Sequence, residues 1–162
     1  MPTEKNTMEY LDEIDLKLLN ILHQNANYTT KELAQQVNLS ASPVFERIKR
    51  LEKTGYIKKY IAILDDEKLN QGFVVFCNIK LKQHDRNIGH QFVEDILSID
   101  EVTECYNISG DFDFLLKVNV RDMKHYQDFV FNKLGSVTSI GSTHSAFVMA
   151  EIKNTYGAAV MI

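Results

Sequence analysis

The chain has 162 residues, 44% of them hydrophobic and 25% charged, a globular balance at a length that suits one large domain or two small ones. No run reaches the ~18 consecutive apolar residues of a membrane helix, and Met1–Tyr10 is polar and mixed in charge rather than built around an apolar signal core, so a cytoplasmic protein is expected. The net charge of −4 hides an asymmetry: residues 1–64 carry nine Lys/Arg against eight Asp/Glu, and residues 65–162 carry nine against fourteen.

Asp12 is a candidate N-cap for a first helix, in which Ile14, Leu18, Ile21 and Leu22, with Leu11 just ahead, recur at three- and four-residue steps. Thr29 and Glu32 have the spacing of a capping box and open a second helix, with Leu33, Ala34 and Val37 inward. Asn38-Leu39-Ser40 breaks it. A third helix follows, capped by Ser40 or Ser42, with Pro43 in its first turn, where proline removes no needed donor. Val44, Ile48 and Leu51 face inward, and Gly55 suits the left-handed position after the helix end. Tyr56–Leu64 is β-rich and reads as a wing strand; Asp65-Asp66-Glu67 is an acidic link.

The rhythm then changes. Phe73, Val75, Cys77, Ile79 and Leu81 alternate as a strand. Ile88, Phe92, Val93, Ile96 and Leu97 mark a helix. Val102–Ile108 is a strand, Ser109-Gly110-Asp111 a turn, and Phe112–Val120 a second alternating strand. Met123, Tyr126, Val130 and Leu134 mark a helix, and a last strand covers Ser142–Ile152. The order β-α-β-β-α-β is the ferredoxin-like split pattern. The expected fold is therefore α+β: a winged helix-turn-helix over residues 1–64 and a ferredoxin-like βαββαβ domain over residues 65–162, with a loose tail from Gly157. So small a core gains from self-association. Cys77 and Cys105 have no CxxC spacing and read as two buried thiols, without a disulfide.

The chemistry of the first half is that of a nucleic-acid reader. Two short helices joined by a tight turn let the second enter a major groove. The outer face of the third helix carries Ser42, Glu46, Arg47, Lys49, Arg50 and Lys53, and residues 40–60 hold six basic side chains against two acidic ones. DNA responds to that local patch more than to the global sum. Arginine can pair with guanine, and a helix N-terminus favours phosphate. The candidate DNA-contacting residues are Lys31, Ser40, Ser42, Pro43, Glu46, Arg47, Lys49, Arg50, Lys53, Lys58 and Lys59. The alternative for Glu46 is a surface ion pair with its neighbouring arginine.

Several motifs resemble one family. Leu11–Leu22 resembles the "LDxIDxxIL" opening of the Lrp/AsnC regulators, KELAQQVNLSASPVFERIKR (Lys31–Arg50) their helix-turn-helix, Leu51–Ile57 their "LExxGxI" exit, and Ser109–Leu116 their "SGDFDYLL" loop. The resemblance covers residues 11–153. It implies a sequence-specific DNA-binding transcriptional regulator whose α+β domain assembles the protein, as a dimer that builds tetramers or octamers, and takes a small amino acid between subunits near the Gly-Asp loop. An architectural DNA-wrapping protein without ligand response is the alternative.

The local chemistry is compatible with an amino acid. Backbone N–H groups around Gly110 suit a carboxylate, and Asp111 or Asp113 an ammonium. Thr143 and Ser145, two apart on the last strand, point to one face and match positions where the family supplies hydroxyl contacts. His144, Ala146 and a glycine- and serine-rich approach depart from the common pattern, which leaves the ligand's side chain open. A turn selected for conformation alone is the rival reading of Ser109–Asp113. Two carboxylates are a weak metal signal, so no metal and no cofactor are expected. No G-x-S-x-G, phosphate-binding glycine loop or H-E-x-x-H is present, and His90 with Glu94 is a surface pair, so no enzyme is expected.

Overall fold

Two reciprocal hydrogen bonds start the fold. The Asp15 backbone N–H donates to the Asp12 carboxylate at 2.9 Å, and the Asp12 N–H donates to the Asp15 carboxylate at 3.1 Å. This box opens α1, Glu13–Gln24. A second box between Thr29 and Glu32 opens α2, Thr30–Gln36. Both satisfy donors that a first helical turn leaves free. The computed structural model describes residues 10–83 and 85–160. The polar N-terminus read above, through Glu9, lies outside the described residues, as do His84 and the last two residues.

The turn between α2 and α3 needs a left-handed residue, and Asn38 supplies it at φ 55°, a conformation asparagine tolerates better than most side chains. The third helix, α3, is Ala41–Lys53. Ser40 holds its N-cap position without a side-chain cap bond, and Gly55 follows the helix at φ 81°. Leu18, Leu33, Ala34, Val37, Val44 and Ile48 make one buried cluster, with Ile14, Ile21 and Leu22 packed against it.

The expected wing differs. Tyr56–Leu64 forms no strand. A strand needs a neighbour for its ladder bonds, and this stretch has none among the described residues. Ile61, Ile63 and Leu64 remain more than half exposed.

The second half is one four-stranded antiparallel sheet in the order β2-β3-β1-β4. Its strands are β1 Phe73–Leu81, β2 Val102–Asn107, β3 Phe114–Val120 and β4 Ile140–Phe147. The helices are α4, Arg86–Leu97, and α5, Met123–Asn132, the latter followed by a 3-10 turn at Leu134–Ser136. Alternation on β1 and β3 sends Val75, Cys77, Ile79, Phe114, Leu116, Val118 and Val120 to one face, buried with Phe92, Ile96, Tyr126 and Phe129 of the two helices. The other face presents Phe76, Leu115, Lys117, Tyr106 and His144.

The last strand stops at Phe147 rather than Ile152. Phe147 pairs with Val75, and the Val148 N–H still donates to the Val74 carbonyl. Only Phe73 of β1 lies beyond that bond, and Met149 and Ile152 stay about nine-tenths exposed or more. Cys77 is buried as expected, but Cys105 is exposed. It lies on β2, an edge strand with a neighbour on one side only. Both thiols are free.

The chain divides into two compact units, Met1–Ala62 together with Asn154–Ile162, and Ile63–Lys153. The tail therefore groups with the three helices rather than with the sheet. No helix among the described residues is long and apolar enough to cross a membrane.

Candidate nucleic-acid interface and effector site

Helical periodicity divides α3 into three faces. Val44, Ile48 and Leu51 are buried. Directly opposite, Ser42, Glu46, Lys49 and Lys53 are all exposed. Between them, Arg47 and Arg50 are half-buried and turn toward α1. The Arg47 guanidinium donates to Asp12 at 2.6 Å and to Asp15 at 2.8 Å; Arg50 donates to Asp15 at 2.5 Å. The Asp15 side chain is only 1% exposed. Burial pushes its carboxyl up, but hydrogen bonds from Arg50, the Asp12 backbone and Arg47 outweigh that and hold it below the ordinary carboxylate value. The sequence places both arginines on the outward face. In this conformation their guanidinium groups instead fasten α3 to the start of α1.

The remaining basic residues are placed more openly. Lys31 on α2, Ser40 and Pro43 at the start of α3, and Lys58 and Lys59 beyond it are exposed. Lys49 donates to Glu52 at 2.7 Å and lies 5.7 Å from the Phe45 ring centre. The Tyr60 hydroxyl donates to the same Glu52 carboxylate at 3.1 Å, tying the segment after α3 back to it. Glu46 has no ion pair or hydrogen bond with another described residue, so the surface pair with Arg47 does not form.

At the other site, Gly110 adopts φ 118°, a conformation that favours glycine, with open space where a Cβ would stand. Gly110 and Asp111 are exposed. Asp113 is structural in this conformation. Its backbone N–H donates to the Ile79 carbonyl at 2.9 Å, and its carboxylate accepts from the Leu81 N–H at 2.7 Å. Thr143 pairs with the same Ile79 from the other side, so the loop and Thr143 meet at one end of the sheet. Ser145 sits two residues along, opposite Cys77.

Behind Ser145 lies a pair of residues that alternation read only as core. The Tyr126 hydroxyl is 2.5 Å from Ser145 Oγ and 3.1 Å from Cys77 Sγ. Burial, then the neighbouring Cys77, pushes the Tyr126 hydroxyl well above the usual tyrosine range; burial also raises the Cys77 thiol. Nothing in the spacing of Cys77 and Tyr126, which are far apart in sequence, announces their meeting. The rings of Phe112 and His144 approach to 5.2 Å. Among the described residues no group of three or more His, Cys, Asp or Glu is placed to hold a metal ion.

Residues 11–58 match a winged helix-turn-helix DNA-binding domain, and residues 74–158 match the Lrp/AsnC ligand-binding domain. The chain belongs to the Lrp/AsnC family. It is 38% identical over 152 residues to the leucine-responsive regulatory protein of Haemophilus influenzae, covering 94% of this chain and 92% of that one. It is 37% identical over 145 residues to the DNA-binding transcriptional activator DecR of Escherichia coli, 90% and 95% covered. Among solved structures, a transcriptional regulator of Neisseria meningitidis in complex with L-Met superposes with a TM-score of 0.87 at 33% identity, over 91% of this chain and 95% of that one. AsnC of E. coli gives 0.83 at 26% identity, over 90% and 96%. This Lrp/AsnC chain is thus a DNA-binding transcriptional regulator with a ligand-binding domain, and not an enzyme.

Proposed function

We propose that this regulator binds specific duplex sequences as a cytoplasmic homo-oligomer of even number and changes its assembly when a small amino acid binds between subunits. The observation that carries the DNA half is the stripe Ser42, Glu46, Lys49 and Lys53, exposed along one side of a helix whose opposite side is fully buried. Laid in a major groove, it brings polar side chains to base edges. Lys31, Lys58 and Lys59 then serve phosphates, together with the free backbone donors at the start of α3. Arg47 and Arg50 hold the helix at its angle and contact DNA only by leaving Asp15.

The effector half rests on the conjunction of Gly110, Asp111 and Thr143 at one end of the sheet. Asp111, exposed, suits the ammonium better than Asp113, whose carboxylate already serves the Leu81 N–H. The relative solved with L-Met supports an amino acid as the ligand class. The sheet face away from α4 and α5, with Phe76, Leu115 and Tyr106, supports self-association there. A ligand shifts assembly only by its differential affinity for the two forms.

Light scattering on a size-exclusion column, with and without each of the twenty amino acids, tests this. One amino acid that changes the assembly mass supports the reading and names the ligand. A large oligomer unmoved by all twenty would make the Gly110 loop a structural turn and the protein an effector-independent DNA organiser.

A further inference from the structure

We infer that Glu46 reads a base, accepting a hydrogen bond from the N4 amino group of a cytosine in the major groove. This rests on the DNA-binding reading above and adds the base to it.

The placement comes first. At about 100° per residue, Glu46 lies roughly 200° around α3 from Val44, on the outward stripe and almost opposite the buried side. Its usual partners are all engaged elsewhere. Arg50, one turn on, is the natural mate for a glutamate, yet it donates to Asp15. Lys49, three residues on, donates to Glu52. Arg47 is held by Asp12 and Asp15. Asp15 thus draws in both arginines and leaves an un-neutralised carboxylate on the face that meets DNA.

A carboxylate there is repelled by every phosphate, so it weakens binding to all sequences alike. A gain that offsets this comes only from a donor on a base edge. A carboxylate has no donor of its own, and the major groove offers two base donors, cytosine N4 and adenine N6. Adenine N6 lies between two acceptors, its own N7 and thymine O4. Cytosine N4 has one acceptor beside it, guanine O6, and the apolar C5–H edge on its other side. Cytosine therefore gives the carboxylate a donor with less repulsion around it. A wrong base at that position leaves the carboxylate desolvated and unpaired, a loss of roughly ten- to a hundredfold in affinity.

Selection from a randomised duplex library with the full-length protein tests this, using wild type, Glu46→Gln and Glu46→Ala. Glu46 has no partner among the described residues to lose, so these variants keep the fold. The wild type is expected to fix a C·G pair at one position of each half-site. Glu46→Gln moves that position to A·T, because an amide meets adenine N6 and N7 together. Glu46→Ala loses preference there and keeps it elsewhere. If Glu46→Ala keeps every preference and merely binds all duplexes more tightly, the carboxylate is a solvated charge and the inference is overturned. If the wild type enriches no sequence at all, the sequence-specific reading falls, and this one with it.

Discussion

Asp15 joins two tasks that are usually separate. One carboxylate closes the capping box of α1 and also receives both arginines of α3. Replacing it with asparagine leaves a hydrogen-bonding group but removes the charge. Arg47 and Arg50 are 28% and 36% exposed at the side chain, so water screens part of the loss, and we expect about 2 kcal/mol less stability. Urea unfolding of Asp15→Asn measures it. The folded-state carboxyl lies below its ordinary value, so its stabilisation is complete above that value and disappears as acid takes the pH down through the lower folded-state one. The difference in midpoint between wild type and Asp15→Asn should therefore be largest near neutrality and close in acid. A difference independent of pH would show that the charge is not what matters. The sequence does hold a signal for this: Asp15 stands three residues before Leu18 and seven before Leu22, on the apolar stripe of α1. An acid there calls for a buried cation, and the arginines one helix-turn-helix later are the supply. Read as a run of charge, they look solvated instead.

At the scale of elements, helices and strands were legible wherever the signal is local. Both capping boxes, the glycine after α3 and the alternation on β1 and β3 each depend on residues a few positions apart. Where an element depends on a distant partner, local signals mislead. The β-rich stretch after α3 has no partner strand among the described residues, β4 stops close to where β1 does, and Cys105 is exposed because its strand is at the edge. The turn carrying Gly110 has the same character. Asp111 and Asp113 look equivalent in sequence, but only Asp113 accepts from the Leu81 N–H. Asp113→Ala should therefore lower the thermal midpoint without any ligand present, since it leaves a half-buried donor unpaired at a cost of about 1–3 kcal/mol. Asp111→Ala should leave the midpoint unchanged and, under the proposed effector reading, lower affinity for an amino acid. Equal midpoints for the two variants would remove the distinction.

Over the whole molecule, family and fold could be read from ordered motifs in both halves, because such motifs encode local chemistry at fixed spacing. The candidate site could be named from sequence as a set of positions, but the engagements of those positions could not. Which cation stays on the outer face of α3 and which is drawn inward depends on Asp15, 32 residues before Arg47 and 35 before Arg50. The Cys77–Tyr126–Ser145 chain was hidden for the same reason, and it has a practical consequence. With one thiol buried on the inner strand β1 behind Tyr126 and Ser145, and the other open to solvent on β2, the protein carries its own pair of chemical clocks. A thiol-reactive dye should modify Cys105 promptly and Cys77 only as often as β4 parts from α5, so the slow phase reads the free energy of that opening directly. If an amino acid settles beside Ser145, the slow phase lengthens while the fast one does not; two phases of equal rate would mean that β4 is never closed against α5.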